Sequence, residues 1–315
     1  MRVVFMGTPD FAVPSLERLA EAHDVGLVLT RPDAVRSRGK ALVPSPVAEA
    51  AERLGIPVAK CRRMDDEAVA RMREAAPDVA CVAAFGCIVP DEALAIPPLG
   101  CVNVHASLLP RWRGAAPIQR AMLAGDERVG VSIMRVVHDL DAGAWCRQAS
   151  FEVGEATCPE LTARLAALGA DELLGALEEM QAGTCAWEEQ DPAQATYAEK
   201  VGKAELLLDP ELTARECVLR VQASLDASPA RLVLGGRGVR AMRARLASAS
   251  EPSGAASEGL PSAGEVAVVG KRLFLGAADG AFELLELRPD GKRAMPASAF
   301  VAGLHERRLA WSHVS

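Results

Sequence analysis

The sequence predicts an α/β protein in which a Rossmann-like parallel sheet domain is followed by a small OB-like β-barrel domain. The chain opens with an apolar run that ends in glycine and leads into a helical pattern, which is the strand, turn and helix unit of α/β sheets. A later run, residues 79–84, is rich in Val, Ala and Cys without alternation, as expected of a parallel strand buried on both faces. From residue 204 onward, short strand-like runs alternate with glycine turns, which indicates a small barrel.

Chain length and composition agree with this arrangement. The chain has 315 residues, 50% of them hydrophobic, which is enough to bury a sizeable core. We place the first domain at residues 1–183, a polar linker at 184–203 and the barrel at 204–315. The N-terminal apolar run is too short for a signal peptide, and no run approaches the ~18 residues of a membrane span. We therefore expect a cytoplasmic monomer with no membrane partner.

Charge and cysteine content exclude some functions. The net charge of −7 argues against a general nucleic-acid coat protein, because Lys and Arg drive the binding of phosphate. The same net charge still allows a local basic surface. The 8 cysteines are scattered without a Cys-x-x-Cys pair, and several lie in apolar runs. We interpret them as reduced core residues and expect no metal site.

The first domain alternates strands with helices. Strands are predicted at residues 2–7, 25–29, 56–59, 79–84, 101–105 and 130–137, and helices at 11–22, 47–54, 65–75 and 161–180, with another helical run beginning at Ile118. The first turn, Gly7-Thr-Pro-Asp10, lacks the Gly-x-Gly-x-x-Gly pattern that lets backbone approach a pyrophosphate. The sequence therefore argues against NAD, FAD and ATP as ligands.

The second domain has a helix at residues 213–223 and strand-like runs at 230–234, 239–244, 264–269, 272–275 and 281–288. Residues 227–250 contain no acid and the five arginines Arg231, Arg237, Arg240, Arg243 and Arg245. In a net acidic chain this predicts a local positive face, with a solvated strand face that binds nothing as the alternative.

The strand at residues 101–105 carries two polar side chains at the edge where α/β proteins bind ligands. Side chains two apart on a strand share a face, so Asn103 and His105 stand side by side. Pro110 follows soon after and ends the extended segment, which places the pair at the carboxyl end of a strand. For an isolated pair, a simpler interpretation is a His and an Asn that tie down a loop.

The stretch around this pair resembles a known family. Asn103-Val-His105-Ala-Ser107-Leu108-Leu109-Pro110, followed by Arg-Trp-Arg-Gly-Ala-Ala-Pro-Ile-Gln, is similar to the signature of the methionyl-tRNA formyltransferases. The shorter Asn-x-His-x-Ser-Leu-Leu-Pro core is shared with other formyl-tetrahydrofolate enzymes. The resemblance implies an enzyme of translation initiation that transfers formyl from the co-substrate 10-formyltetrahydrofolate to the α-amino group of methionyl-initiator tRNA, without a metal.

The resemblance also implies which residues perform the chemistry. Asn103, His105 and Asp141 are the expected catalytic residues, and Asp141 matches the carboxylate of a family Leu-Asp-Thr-Gly-Asp pattern that reads Leu-Asp-Ala-Gly-Ala here. Donors aimed at the developing oxyanion are usually the largest catalytic contribution, and Asn103 and His105 can both donate. The carboxylate would favour the charged imidazole and fix its orientation. The implied folate-binding residues are Phe85, Gly86, Ile88, Ser107, Leu108, Leu109 and Pro110.

Two basic regions are the expected tRNA contacts. The family has a long basic loop that enters the end of the tRNA acceptor stem, and Arg38 and Lys40 occupy the corresponding Arg-Gly-Lys segment here. On the barrel, the expected contacts are Arg237, Arg240 and Arg243. Three alternatives stay open: a formyltransferase for a small amine such as a nucleotide sugar or glycinamide ribonucleotide, the hydrolase module of a formyl-folate dehydrogenase, and a folate- or RNA-binding protein without catalysis. Small substrates require neither basic region.

Overall fold

The computed structural model describes residues 1–35, 41–248, 260–304 and 309–314. The chain forms two compact units, each with its own sheet. The first unit comprises Met1–Pro117, Arg128–Glu152 and Thr162–Ala198, and the second comprises Ile118–Glu127, Val153–Leu161 and Glu199–Ser315.

Strands and helices alternate from residue 1 to residue 198. The strands are β1 (Arg2–Gly7), β2 (Asp24–Thr30), β3 (Val58–Lys60), β4 (Val79–Ala83), β5 (Cys101–His105), β6 (Arg113–Gly114), β7 (Arg128–Arg135), β8 (Trp145–Glu152) and β9 (Tyr197–Ala198). The helices are α1 (Val13–Ala22), α2 (Pro46–Arg53), α3 (Asp66–Glu74), α4 (Asp91–Leu94), α5 (Pro117–Leu123) and α6 (Cys158–Ala182), with single 3₁₀ turns at Asp10–Ala12 and Pro192–Gln194.

Seven strands of the first unit form one sheet in the order β3-β2-β1-β4-β5-β7-β8. The first five are parallel, and β7 and β8 add antiparallel to the edge beyond β5. Every residue of β4 is buried, as its unbroken apolar sequence predicts. The Rossmann-like prediction is therefore confirmed. Strand β8 was not predicted from sequence, since only its second half, Ala-Ser-Phe-Glu, alternates apolar and polar side chains and the strand is half-buried along nearly its whole length.

Local capping explains where two of these helices begin. Ser45 precedes α2, and its hydroxyl accepts a hydrogen bond from Ala48 N at 2.9 Å. Asp65 precedes α3 and accepts in the same way from Ala68 N at 3.2 Å. Each cap satisfies a backbone N–H that the first helical turn leaves without a partner.

The second unit contains a helix packed on a barrel. Its elements after residue 199 are a 3₁₀ turn at Lys203–Leu206, then α7 (Ala214–Gln222), β10 (Ala230–Leu234), β11 (Arg237–Leu246), β12 (Glu265–Val269), β13 (Arg272–Ala277), β14 (Gly280–Pro289), β15 (Met295–Pro296), α8 (Ala297–Ala302) and β16 (Leu309–Ser312). Within the described residues, six strands close in the order β11-β10-β16-β12-β13-β14, because β14 pairs back onto β11. The predicted barrel is therefore confirmed.

Strand β16 completes this barrel and was not predicted from sequence. It inserts between β10 and β12, although of its four residues only Trp311 is buried. The Trp311 ring meets Phe282 edge to face at 5.7 Å, and its Nε1–H donates to Gly276 O at 2.8 Å. A large aromatic residue with a satisfied polar atom therefore anchors a strand too short to show a pattern. No helix in the described ranges is long and apolar enough to cross a membrane.

Candidate active site

The imidazole of His105 lies between two acceptors. His105 is the last residue of β5 and is 5% exposed. Its Nε2 lies 2.9 Å from Trp112 O, and its Nδ1 lies 3.7 Å from Asp141 Oδ2. A carbonyl and a carboxylate can only accept hydrogen bonds. The neutral ring has one N–H for these two acceptors, whereas the imidazolium has one for each.

Asp141 is held by the turn that also contacts His105. Its Oδ2 accepts a hydrogen bond from Gly114 N at 2.7 Å. The residue has φ 48°, in the left-handed region that Asp tolerates better than most residues. Because Trp112 and Gly114 belong to one short turn, the same backbone segment fixes both the imidazole and the carboxylate.

Asn103 shares a face of β5 with His105 and remains half-buried. In the sheet it pairs with Val82 of β4 and Met134 of β7. Its side-chain amide makes no hydrogen bond to any residue in the described part of the chain. The sheet therefore positions an amide donor beside the imidazole, and none of the described residues occupies that donor.

Two polar side chains of the neighbouring strands hold the segment from Ser107 to Pro110 in place through hydrogen bonds. Ser132 of β7 donates to Ser107 O at 2.7 Å and accepts from Leu109 N at 3.0 Å. Gln148 of β8 donates to Leu109 O at 2.9 Å. Of the implied folate-binding residues here, Ser107 and Leu109 are buried, and Leu108 and Pro110 are half-buried. The sequence analysis gave no role to Ser132 or Gln148, although Ser132 stands out as a serine within the apolar run of β7.

The other implied folate-binding residues follow β4. Phe85 is 2% exposed and its side chain packs in the hydrophobic core, so little of this residue is accessible to a ligand. Its carbonyl accepts from Thr8 Oγ1 at 2.7 Å. Gly86 has φ 79°, and Ile88 is 88% exposed. An exposed Ile88 next to a glycine turn gives this strand end an apolar surface.

The segment predicted as a linker contributes contacts to the site. The Thr196 hydroxyl accepts from Trp112 N at 2.9 Å, and β9 pairs in parallel with β6. Gln190 is buried and bonded to Arg113 and to the loop of Asp141. The sequence predicts only a polar linker here, because no local pattern shows which strands Gln190 and Thr196 approach.

The predicted basic regions differ in what the structure describes. Arg38 and Lys40 lie outside the described residues. Arg237, Arg240 and Arg243 lie along β11. Arg237 is exposed, and no acid of the described residues pairs with it. The other four arginines of residues 227–250 pair with acids from elsewhere in the second unit: Arg231 with Asp290, Arg240 with Asp226, Arg243 with Glu160 and Arg245 with Glu283. The positive face is therefore partly neutralised.

Cysteine and metal chemistry have little support at this site. All 8 cysteines are free thiols. Burial raises the pKa of Cys101, at the start of β5, to about 12, so this thiol stays protonated at neutral pH. No three His, Cys, Asp or Glu side chains of the described residues cluster as a metal site would require.

Known proteins resemble this chain along nearly its whole length. Residues 1–177 match the formyl transferase family, and residues 200–305 match the formyl transferase C-terminal domain. The methionyl-tRNA formyltransferase of Halorhodospira halophila is 43% identical over 311 residues, which are 98% of this chain and 97% of that protein. The methionyl-tRNA formyltransferase of Methylobacillus flagellatus is 40% identical over 307 residues, 96% of each chain.

A solved structure shares the fold at lower identity. The N-formyltransferase of Helicobacter canadensis, solved with folinic acid and dTDP-3-aminofucose, aligns with a TM-score of 0.64 and 15% identity over 90% of this chain and 98% of that chain. At this identity the likeness establishes the fold alone.

Proposed function

Because the chain belongs to the methionyl-tRNA formyltransferase family, we propose that it transfers the formyl group of 10-formyltetrahydrofolate to the α-amino group of methionine on initiator tRNA. The observation that carries this function is identity above 40% over nearly the whole chain, the second unit included. The two-unit fold alone does not decide the substrate, because the N-formyltransferase solved with dTDP-3-aminofucose also aligns over 90% of this chain, so the proposal depends on the much higher identity to the methionyl-tRNA formyltransferases. The function makes the protein an enzyme of translation initiation whose partners are a charged tRNA and a formyl-folate.

The chemistry requires a donor for an oxyanion and a route for a proton. Attack of the α-amino group on the formyl carbon places negative charge on the formyl oxygen, and the nitrogen must lose a proton. Asn103 and His105 stand on one face of β5. Asn103 can donate its side-chain amide to that oxygen, and His105 can donate once its Nε2–H exchanges Trp112 O for the formyl oxygen. Loss of one such donor costs roughly 3 kcal/mol of transition-state stabilisation.

Asp141 supports the charged form of His105 during this step. The carboxylate side chain is 17% exposed and faces Nδ1, where its charge is weakly screened. An imidazolium donates to the oxyanion more strongly than a neutral ring does, since charge-assisted hydrogen bonds are about twice as strong as neutral ones. The ring can also accept or return a proton as the tetrahedral adduct collapses.

We propose that the folate binds along the carboxyl ends of β4 and β5. Ile88 provides exposed apolar surface, and the backbone of residues 107–110 is held in place by its hydrogen bonds to Ser132 and Gln148. Gly86, which is exposed, takes part through its backbone, and Phe85 supports the folate site from the core. In this proposal, residues 1–183 bind the folate and perform the chemistry, and residues 204–315 bind the tRNA. Residues 184–203 link the two regions.

For the tRNA, Arg237 is the strongest of the proposed barrel contacts, since it is exposed and without an acidic partner in the described part of the chain. Arg240 and Arg243 would exchange their present carboxylates for phosphates. Arg38 and Lys40 remain proposals from the resemblance alone. We further propose that the enzyme works in the cytoplasm, because charged initiator tRNA is made and used there. The monomeric state remains a prediction from the sequence.

Acceptor specificity tests this function. Labelled 10-formyltetrahydrofolate is mixed with the protein and either methionyl-initiator tRNA, the same tRNA uncharged, or a small primary amine such as a dTDP-amino sugar. Label on the charged tRNA alone is the expected result. Label on the amino sugar with none on the tRNA would keep formyl transfer but overturn the assignment of the substrate.

A further inference from the structure

Both polar atoms of the Gln190 side-chain amide are hydrogen-bonded to residues around Asp141. The residue is 8% exposed. Its Nε2 donates to Asp141 O at 2.9 Å and to Gly143 O at 2.7 Å. Its Oε1 accepts from Arg113 Nε at 3.0 Å. A primary amide has two N–H donors and one carbonyl oxygen, so each of its polar atoms is bonded to this region.

These partners lie on both sides of the contact between His105 and Asp141. On one side, Gln190 holds the backbone of the loop that carries Asp141. On the other, it holds Arg113, whose neighbours are Trp112, the acceptor for His105, and Gly114, the donor to Asp141. One buried side chain therefore links the loop of the carboxylate to the turn that fixes both side chains.

The loop that Gln190 holds has an unusual backbone conformation and packs tightly against its neighbours. Asp141 has φ 48°, a conformation that non-glycine residues seldom adopt. A Cβ on Gly143 would lie 2.1 Å from Arg135 O, so the loop passes against β7 with no room for a side chain. A conformation of this kind persists only where surrounding contacts determine it. The two carbonyl groups that flank this stretch are the ones bonded to Gln190.

We propose that Gln190 is a positioning residue for formyl transfer, which sets the distance between the Asp141 carboxylate and His105 through these three hydrogen bonds. The inference rests on the proposed function and on the role proposed there for Asp141. Gln190 acts through Asp141 and does not touch the reacting atoms. Its effect should therefore fall on turnover and leave the binding of either substrate nearly unchanged.

The test replaces Gln190 by Met, which keeps its length and approximate volume but makes none of the three hydrogen bonds. Formyl transfer to methionyl-initiator tRNA is followed with both substrates varied. We expect kcat to fall about tenfold or more, because small displacements of a catalytic group are costly, while KM for each substrate stays within about twofold. Gln194→Met is the matched control, since Gln194 is exposed in the same segment and bonds only to Asp191.

A double-mutant cycle separates positioning from general destabilisation. Asp141→Asn removes the charge that Gln190 is proposed to position. Adding Gln190→Met to Asp141→Asn should then lower kcat by less than about twofold further. An equal fold loss from Gln190→Met in both backgrounds would overturn the proposal, as would wild-type kcat in the single variant.

Gln190→Glu serves if the Met variant fails to fold. It is isosteric and keeps an acceptor for Arg113, but it aims a carboxylate oxygen at the carbonyl groups of Asp141 and Gly143. The same loss of kcat is expected, and a folded Glu variant with wild-type kcat contradicts the proposal. Absence of transfer by the wild-type enzyme itself would instead contradict the proposed function.

Discussion

The carboxylate of Asp141 faces the imidazole of His105, with 3.7 Å between Oδ2 and Nδ1, and both side chains are also bonded to the turn of residues 112–114. The separation is longer than a hydrogen bond, so the interaction is mainly one of charge. The ring and the carboxylate are placed by one stretch of backbone and not by each other.

Removing this charge should slow the chemical step. Asp141→Asn keeps the side-chain size and removes the negative charge beside Nδ1. We expect kcat to fall about 100-fold, within the usual range for a group that supports general acid–base catalysis, with KM for the folate little changed. Steady-state transfer to methionyl-initiator tRNA measures both. Asp139→Asn is the control, because Asp139 is exposed on the same loop. An equal loss in the two variants would count against a specific role for Asp141.

Gly143 packs closely against β7, so a larger residue at this position should displace the backbone of the site. Gly143→Ala places a methyl group where Arg135 O already lies, so the loop must move and carry Asp141 with it. The expected result is a loss of about 2 kcal/mol or more in the free energy of unfolding, together with a loss of transfer activity. Urea unfolding and the transfer assay measure the two effects. Gly280→Ala, in open space on β14, should change neither by much.

The barrel carries a buried carboxylate whose stability contribution should depend on pH. Burial alone would raise the pKa of Glu283, but its hydrogen bonds and ion pairs with Arg272 and Arg245 outweigh burial and hold the pKa below its ordinary value. A carboxyl group with a lowered folded-state pKa stabilises the protein above its unfolded pKa of about 4.3, and that stability is lost as the pH falls through the folded-state pKa.

Glu283→Gln tests this dependence. We expect the variant to be less stable than wild type by about 2 kcal/mol at pH 7, since the buried Glu283 side chain loses its charge-assisted hydrogen bonds to the partly exposed Arg272 and Arg245. The difference should shrink below a pH of about 4, as wild type also loses its charge there. Thermal unfolding from pH 7 to pH 3 measures it, with Glu286→Gln on the same strand as control. A difference that stays constant over this range would contradict the assignment.

Arg237 predicts a salt-dependent contribution to tRNA binding. Arg237→Ala should weaken binding of methionyl-initiator tRNA several-fold and reduce the slope of log K against log salt by about 1, because one fewer phosphate is neutralised. Binding of the folate should not change. Arg73→Ala, on an exposed position of α3, is the surface control. If the Arg237 variant keeps the wild-type slope, this arginine does not contact phosphate.

Local patterns were sufficient for most of the fold. The strand at residues 101–105 was predicted with both ends correct, because apolar and polar side chains alternate in it and Pro110 soon ends the extended segment. Five of the six barrel strands were predicted from short strand-like runs that are separated by glycine turns. Strands β8 and β16 were not, since β8 is half-buried along nearly its whole length and β16 depends on a single tryptophan. Both join sheets through partners distant in sequence.

The site was predictable only in part, for the same physical reason. The shared face of Asn103 and His105 follows from strand geometry, whereas the approach of Asp141 required the family resemblance. The three bonds of Gln190 join segments far apart in sequence, so no local pattern reveals them. Counting charges within residues 227–250 also missed the acids that pair with the arginines, such as Glu160 with Arg243. The roles of these residues stay predictions.

The most direct test of the account is the single-turnover rate of formyl transfer to methionyl-initiator tRNA by Asn103→Ala and His105→Ala beside wild type. Excess enzyme is mixed with bound 10-formyltetrahydrofolate and the charged tRNA, and unfolding temperature and folate affinity are measured on the same samples. We expect each variant to be slower by about 100-fold or more while folded and still able to bind folate, because each loses a donor to the oxyanion. Near wild-type transfer by either folded variant would contradict the assignment of that residue to the chemistry.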